Sequence, residues 1–408
     1  MTKVRYLKNI LLVSIIFLQT GLSYWISFQS LAFIILSIFI FLNKPKVKIN
    51  LRVILPIFLF IIFLIDLYFY RSFILPENIS NLELSIGRII FFGSTIYFIF
   101  FFRFKNNKLL SFIRNIYSNL LITFSSLIII SESRIIPFLS TEFLTRQNAS
   151  LISNQSNLEN INLTIRDIER LDNAPNLRPD LFYGEPSYLA LIAFCAFSGF
   201  IFSSYIKAKN QNEKKPELSI FKTENIFFCI LTIVILFLTK SLSGVLYTFI
   251  IISLFAAIRI FYQRTISYKL LAVFIITFTY LITLFSTERL LLRFNFIDSL
   301  SFYDRIKTFF QWDVSDYILG LQSSLKVPEI GFHNGFFFGI AIGGITFFIY
   351  FLSIIKRLCF LSESIPFNIY ASLLFFAIFM QNGAIFTPDK SVIIALTFLP
   401  FLAKKQIN

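Results

Sequence analysis

The chain contains a single histidine, His333, in 408 residues. A multi-histidine metal centre is therefore excluded, and no metal or other cofactor is expected. Cysteine is scarce as well: Cys195, Cys229 and Cys359 each lie in an apolar run, so no disulfide framework is expected. Charged residues make up only 14% against 56% hydrophobic ones, and the mean hydropathy is +0.76. A soluble chain of this length needs far more charge to cover its surface. No cleavable signal sequence is expected, because the first apolar run is too long and no A-x-A-like site follows it. Nor is there an internal repeat of the kind that many transporters show.

What the chain does have is phenylalanine, 56 copies of it, in long apolar runs. A spanning helix needs about 20 mostly apolar residues, sometimes as few as about 17. Runs of that kind fall near 53–70, 85–102, 115–131, 186–206, 225–239, 242–258, 270–285, 333–355, 367–386 and 391–403. The run over 9–42 is too long for one helix and is interrupted by Gln19, Thr20, Gly21 and Ser23. Basic residues flank it on both sides (Lys3, Arg5 and Lys8 before, Lys44, Lys46 and Lys48 after), which predicts a hairpin of two short spans. One long tilted helix is the alternative. The expected fold class is all-α: a polytopic membrane protein with about 12 transmembrane helices. It is expected to form a single integral membrane domain over 1–408, with long periplasmic loops at 131–185 and 286–332.

The net charge is +15. In a soluble protein this would point to nucleic acid. Here most basic residues fall in the short segments on one side of the predicted spans, with few acidic residues beside them, so no nucleic-acid partner is expected. The positive-inside rule makes that side cytoplasmic. The expected location is the bacterial inner membrane, multi-pass, with both termini cytoplasmic.

Four features carry polar chemistry. The first is Arg178 through Ala190, where the first long loop re-enters the membrane. Pro186 suits the first turn of a helix, Glu185 its cap, and Gly184 a sharp turn just before. An N-capped helix with no further role is the bland reading. The second is Gly331-Phe332-His333-Asn334-Gly335, at the mouth of the span that continues to Gly343-Gly344. An imidazole there serves as a general base or as a donor to an anion, or is simply interfacial. The third is a set of basic residues in the long loops, against the positive-inside trend: Arg134, Arg146, Arg166, Arg170 and Arg178, then Arg289, Arg293, Arg305, Lys307 and Lys326. Arginine suits phosphate, so an anionic ligand on the outer face accounts for them; ordinary solvated surface is the alternative. The fourth is the polar turn Thr239-Lys240-Ser241-Leu242-Ser243-Gly244 between two spans, for which a plain turn is the simpler reading. Asp66 and Arg88 have matching expected depths in neighbouring spans and are candidates to pair or to snorkel separately.

Together these residues resemble the O-antigen and capsule repeat-unit polymerases (Wzy-like), within the O-antigen ligase superfamily. Gly184-Glu185-Pro186-Ser187 with Leu189-Ala190 is similar to their G-x-EPS-x-LA segment. Thr239-x-Ser241-x-Ser243-Gly244 is similar to their T-x-S-x-S/T-G turn. Arg305, Ile318-Leu319-Gly320 and His333-Asn334 follow the R…LG…HN order of their second loop. The resemblance runs from about Arg178 to Gly344. It departs at Leu242, where many relatives have Arg and where Lys240 is the substitute. It departs again at Phe347, where the ligase pattern expects a small residue or Tyr; this and the EPS segment favour polymerase over ligase.

The resemblance implies a glycosyltransferase of polysaccharide biosynthesis. It joins undecaprenyl-pyrophosphate-linked oligosaccharide units into O-antigen of lipopolysaccharide or into capsule, at the periplasmic face. Arg178 and Arg305 are the candidates to stabilise the pyrophosphate leaving group, and Glu185 and His333 rank equally as the base. Asn334, Ser187, Ser241 and Lys240 are candidates to bind substrate. Membrane lipids, a chain-length regulator and a flippase are the further partners implied. An O-antigen ligase and a lipid-linked oligosaccharide flippase are the alternatives.

Overall fold

The computed structural model describes residues 2–20, 27–44, 46–47, 51–74, 79–103, 107–133, 135–140, 181–183, 186–239, 241–263, 312–320, 335–380 and 386–402. Apart from one two-residue ladder, their regular structure is helical. In chain order the helices are α1 (Thr2–Ile16), α2 (Phe28–Leu42), α3 (Leu51–Ile74), α4 (Ile79–Ile99), α5 (Asn107–Ser133), α6 (Pro186–Asn210), α7 (Thr223–Leu238), α8 (Leu242–Gln263), α9 (Val314–Leu319), α10 (Gly335–Cys359), α11 (Ile365–Met380) and α12 (Pro388–Leu402). The ladder pairs β1 (Lys46–Val47) with β2 (Phe102–Arg103), antiparallel, with Lys46 opposite Arg103.

Among the described residues, five helices are long and apolar enough to cross a membrane: Leu51–Phe69, Leu109–Ser133, Pro186–Asn210, Ser243–Tyr262 and Gly335–Cys359. Four of them leave apolar faces uncovered by protein, while Pro186–Asn210 is buried all round. On α3, for example, Leu51, Leu55, Phe58, Ile62 and Phe69 are exposed. Surface of that kind belongs in lipid, and the chain has a multi-pass membrane character.

The expected count of about 12 transmembrane helices is overturned. Five further helices contribute only shorter apolar stretches among the described residues: Tyr6–Ile16, Phe28–Leu42, Ile86–Ile99, Thr223–Leu238 and Ile365–Met380. A helix rises about 1.5 Å per residue, so fifteen residues cover about 22 Å of a core about 30 Å thick. Runs that look like spans in one dimension thus make helices too short to cross. The run at 270–285 lies outside the described residues, as do most of the two long loops. The run over 9–42 does break in two. Ser27 caps α2, its hydroxyl accepting from Ser30 N at 3.2 Å, and α1 packs on α2. Asp66 and Arg88 are each exposed and do not pair with one another.

The residues divide into two compact units. The first comprises 1–45, 104–251 and 395–408. Its centre is α6, whose side chains from Tyr188 to Ile206 are all buried. That helix is apolar all round, so it has no face to give to solvent or lipid. It packs on α5 and α7, while α1 packs on α2 and α5. At one end of this unit Arg114 pairs with Glu224, and Ser204 donates to Asn225 Oδ1 at 3.0 Å.

The second unit comprises 46–103 and 252–394. Here α10 packs on α3, α9 and α11, and α3 packs on α4. Tyrosines tie the helices by donating to main-chain carbonyls: Tyr97 to Val53 O and Tyr350 to Gly93 O, both at 2.8 Å. Each bond satisfies a hydroxyl that would otherwise be costly to bury.

Candidate functional site

Three of the predicted motifs have described residues. The first lies where the chain enters α6. Leu181 and Tyr183 are buried, and Leu181 takes a left-handed φ of 51°. Tyr183 donates to Ile15 O at 2.8 Å, and its ring sits 5.7 Å from that of Tyr188 and 6.0 Å from that of Phe124. Phe182 packs on Phe17 at 4.4 Å between ring centroids. Burial holds the Tyr183 phenol well above its ordinary pKa, so it remains a neutral donor. These contacts pin the chain immediately before Gly184. Pro186 then occupies the first position of α6, as its fixed φ and missing N–H favour, and Ser187 follows it, half-buried.

Arg178, Gly184 and Glu185 lie outside the described residues. The anchor beside them is testable by itself. Tyr183→Phe is expected to lower stability by about 1 kcal/mol, because it leaves the Ile15 carbonyl without that donor. Thermal unfolding of the purified protein in detergent measures this, and an unchanged midpoint would show the bond to be irrelevant.

The second motif is the Ser-rich turn before α8. Thr239 Oγ1 donates to Leu236 O at 2.7 Å and lies 3.0 Å from Ser241 Oγ. Ser241 Oγ accepts from Gly244 N at 3.1 Å and from Ser243 Oγ at 3.2 Å. Ser241 therefore acts as the N-cap of α8, buried, with its hydroxyl engaged inside the turn. A Cβ on Gly244 would meet Leu236 O at 2.5 Å, so no larger residue fits there. Lys240 lies outside the described residues.

The third motif joins two pieces of sequence that local pattern leaves separate. Gly320 ends α9 with φ +73°, and a Cβ there would meet Ala341 O at 2.7 Å and Ile342 O at 3.0 Å. Gly344 has φ 48° and ψ −134°, so it breaks α10 in the middle. A Cβ on Gly344 would collide with Ile318 O and come within 2.7 Å of Gly320 N. Two main chains thus touch directly, and only glycine allows both the contact and the backbone angles. Trp312 and Tyr317, with rings 5.5 Å apart, lie on the same segment as α9. Arg305, His333 and Asn334 lie outside the described residues; His333 and Asn334 immediately precede α10.

Of the predicted site residues, Ser187 and Ser241 are described, and both fall in the first unit. Sequence reasoning missed two features. The span near 333–355 reads as continuous, although the Gly343-Gly344 pair is the available sign of a break. The polar start of α12, Asp389-Lys390-Ser391, is buried, although the run that reads as a span begins only at 391. Its signal is two adjacent charged residues of opposite sign directly before an apolar run. No protein-family model, curated protein or solved structure matches this chain.

Proposed function

We propose that the chain polymerises lipid-linked oligosaccharide repeat units, with an undecaprenyl-pyrophosphate-linked glycan as donor and the sugar end of a second lipid-linked unit as acceptor. The observation that carries this reading is the ordered motif set from Arg178 to His333-Asn334. It is supported by the touching backbones of Gly320, which closes the Ile318-Leu319-Gly320 step of that set, and Gly344, at the end of the resembling stretch. The self-capped turn at Ser241 and the pinned entry to α6 give two further motif segments a rigid base.

Chemically, the acceptor hydroxyl loses its proton to Glu185 or His333 and attacks the anomeric carbon. The bond from that carbon to the pyrophosphate oxygen breaks, and the lipid pyrophosphate leaves with the electron pair. Arg178 and Arg305 hold the charge that develops on it. Lys240 and Asn334 contact sugar or phosphate, Ser187 stands at the start of α6, and Ser241 supports the turn that carries Lys240. The reaction takes place at the periplasmic face of a bacterial inner membrane, with both termini cytoplasmic.

Deleting the gene and separating surface polysaccharide on a gel tests the proposal. A single capped repeat unit in place of a ladder is expected, restored to a ladder by the wild-type chain. Undecorated lipid A-core with accumulated lipid-linked polymer would instead make the protein a ligase. Accumulation on the cytoplasmic side would make it a flippase.

A further inference from the structure

The second unit contains a buried ionic turn at the start of α12. Asp389 is 5% exposed, Lys390 1% and Ser391 1%. An ammonium group so far from solvent is costly in an apolar fold, and ionisable groups at such depth mark ligand or ion paths. Ser391 Oγ is buried and has no hydrogen-bond partner, although an unsatisfied buried hydroxyl is itself destabilising.

The depth of this turn follows from Phe386, two residues before α12. Its ring is 5.9 Å from that of Phe60, in the middle of α3, and 6.3 Å from those of Phe347 and Tyr350, in the middle of α10. It also lies 3.2 Å from where a Cβ on Gly93, within α4, would stand. Thus α12 does not begin at the end of the neighbouring helices; it begins level with their middles.

A second helix start lies at the same level. The break at Gly344 makes 345–359 a helix of its own, and Phe347 in its first turn is the ring that Phe386 touches. Helix starts carry free N–H groups and the positive end of the dipole. Two such starts joined by one ring contact, with a buried lysine and an unpartnered serine in one of them, form an environment for an anion. Discontinuous helices in membrane proteins present their half-helix starts to anionic groups in this way.

We infer that the first turn of α12, with Lys390 and Ser391 as its side-chain donors, binds a phosphate or diphosphate group within the second unit. Asp389 lies in the same turn, so the ligand must bring enough negative charge to outweigh its carboxylate, as a diphosphate does. The inference goes beyond the polymerase reading and stands without it, because a phosphate site of this kind serves any protein that handles a phosphorylated carrier.

The test uses the full chain in phosphatidylcholine nanodiscs, with retention of a polyprenyl diphosphate as the readout. Lys390→Gln is expected to weaken retention about tenfold to a hundredfold, the loss of a charge-assisted contact. Ser391→Ala is expected to weaken it about threefold to tenfold while leaving the ligand-free Tm unchanged or higher. A purely structural serine predicts unchanged retention. Ser391→Ala carries the test alone should Lys390→Gln fail to fold. Competition by inorganic pyrophosphate assigns the site to free diphosphate; retention of the lipid without that competition assigns it to a lipid headgroup. Wild-type retention by Ser391→Ala, or equal retention of the unphosphorylated polyprenol, overturns the inference. Polymer formation is not measured, so failure of the polymerase proposal leaves this result intact.

Discussion

Arg178→Ala and Arg305→Ala are each expected to reduce polymer formation about a hundredfold to a thousandfold, the usual effect of removing one donor aimed at developing charge. In a polymerase-null strain carrying either variant, the ladder should collapse toward a single repeat. The reason lies in the leaving group. A lipid pyrophosphate departs with negative charge spread over several oxygens, and no multi-histidine metal centre is possible with one histidine in the chain. Guanidinium groups meet that need because they stay charged at every working pH and present paired N–H donors. Lysine at either position should recover only part of the activity, since an ammonium supplies the charge without the fork. Full-length polysaccharide from both alanine variants would remove these arginines from the mechanism. Glu185→Ala and His333→Ala belong in the same experiment, and whichever of them leaves the ladder intact is not the base.

Gly344→Ala should destabilise the second unit by about 2–4 kcal/mol, combining the strain of a left-handed non-glycine residue with overpacking. The added Cβ meets the main chain of Ile318 and Gly320, not a flexible side chain. No rotamer change relieves the clash; α9 must move off α10. Gly87→Ala is the control, because nothing lies within 4 Å of a Cβ there. That substitution sits inside α4 and is expected to be neutral or to stabilise by up to about 1 kcal/mol. Thermal unfolding of both variants in the same detergent measures the difference. Equal midpoints would mean that the broken helix is not needed to hold α9 in place.

Several elements were legible because their causes are local. Pro186 marks the first position of α6 by its ring and its missing N–H. The segment before α8 reads as a polar turn, and the Ser241 hydroxyl closes that turn on Gly244 N. Polar residues at 19–23 split the first apolar run into α1 and α2. Each depends on a few neighbouring residues and on backbone geometry that any chain would share.

The number of membrane-crossing helices was not legible. Hydropathy reports that a run prefers to be out of water; it does not report whether the helix is long enough to cross. The run at 225–239 shows this: strongly apolar, it forms the sixteen-residue α7, which packs against α5 and α6.

By itself the sequence determined the membrane character, the all-α class, the split of the first apolar run and the start of α6 at Pro186. Composition and nearest neighbours decide those properties. Only the tertiary structure decided that α10 breaks at Gly344 against α9, and that Lys390 and Ser391 are buried in a helix start level with the middles of α3 and α10. Those features arise from backbones and rings far apart in sequence, through contacts such as Gly320 on Gly344 and Phe386 on Phe60 and Phe347. No local propensity encodes such a contact, because its energy exists only once both partners are in place.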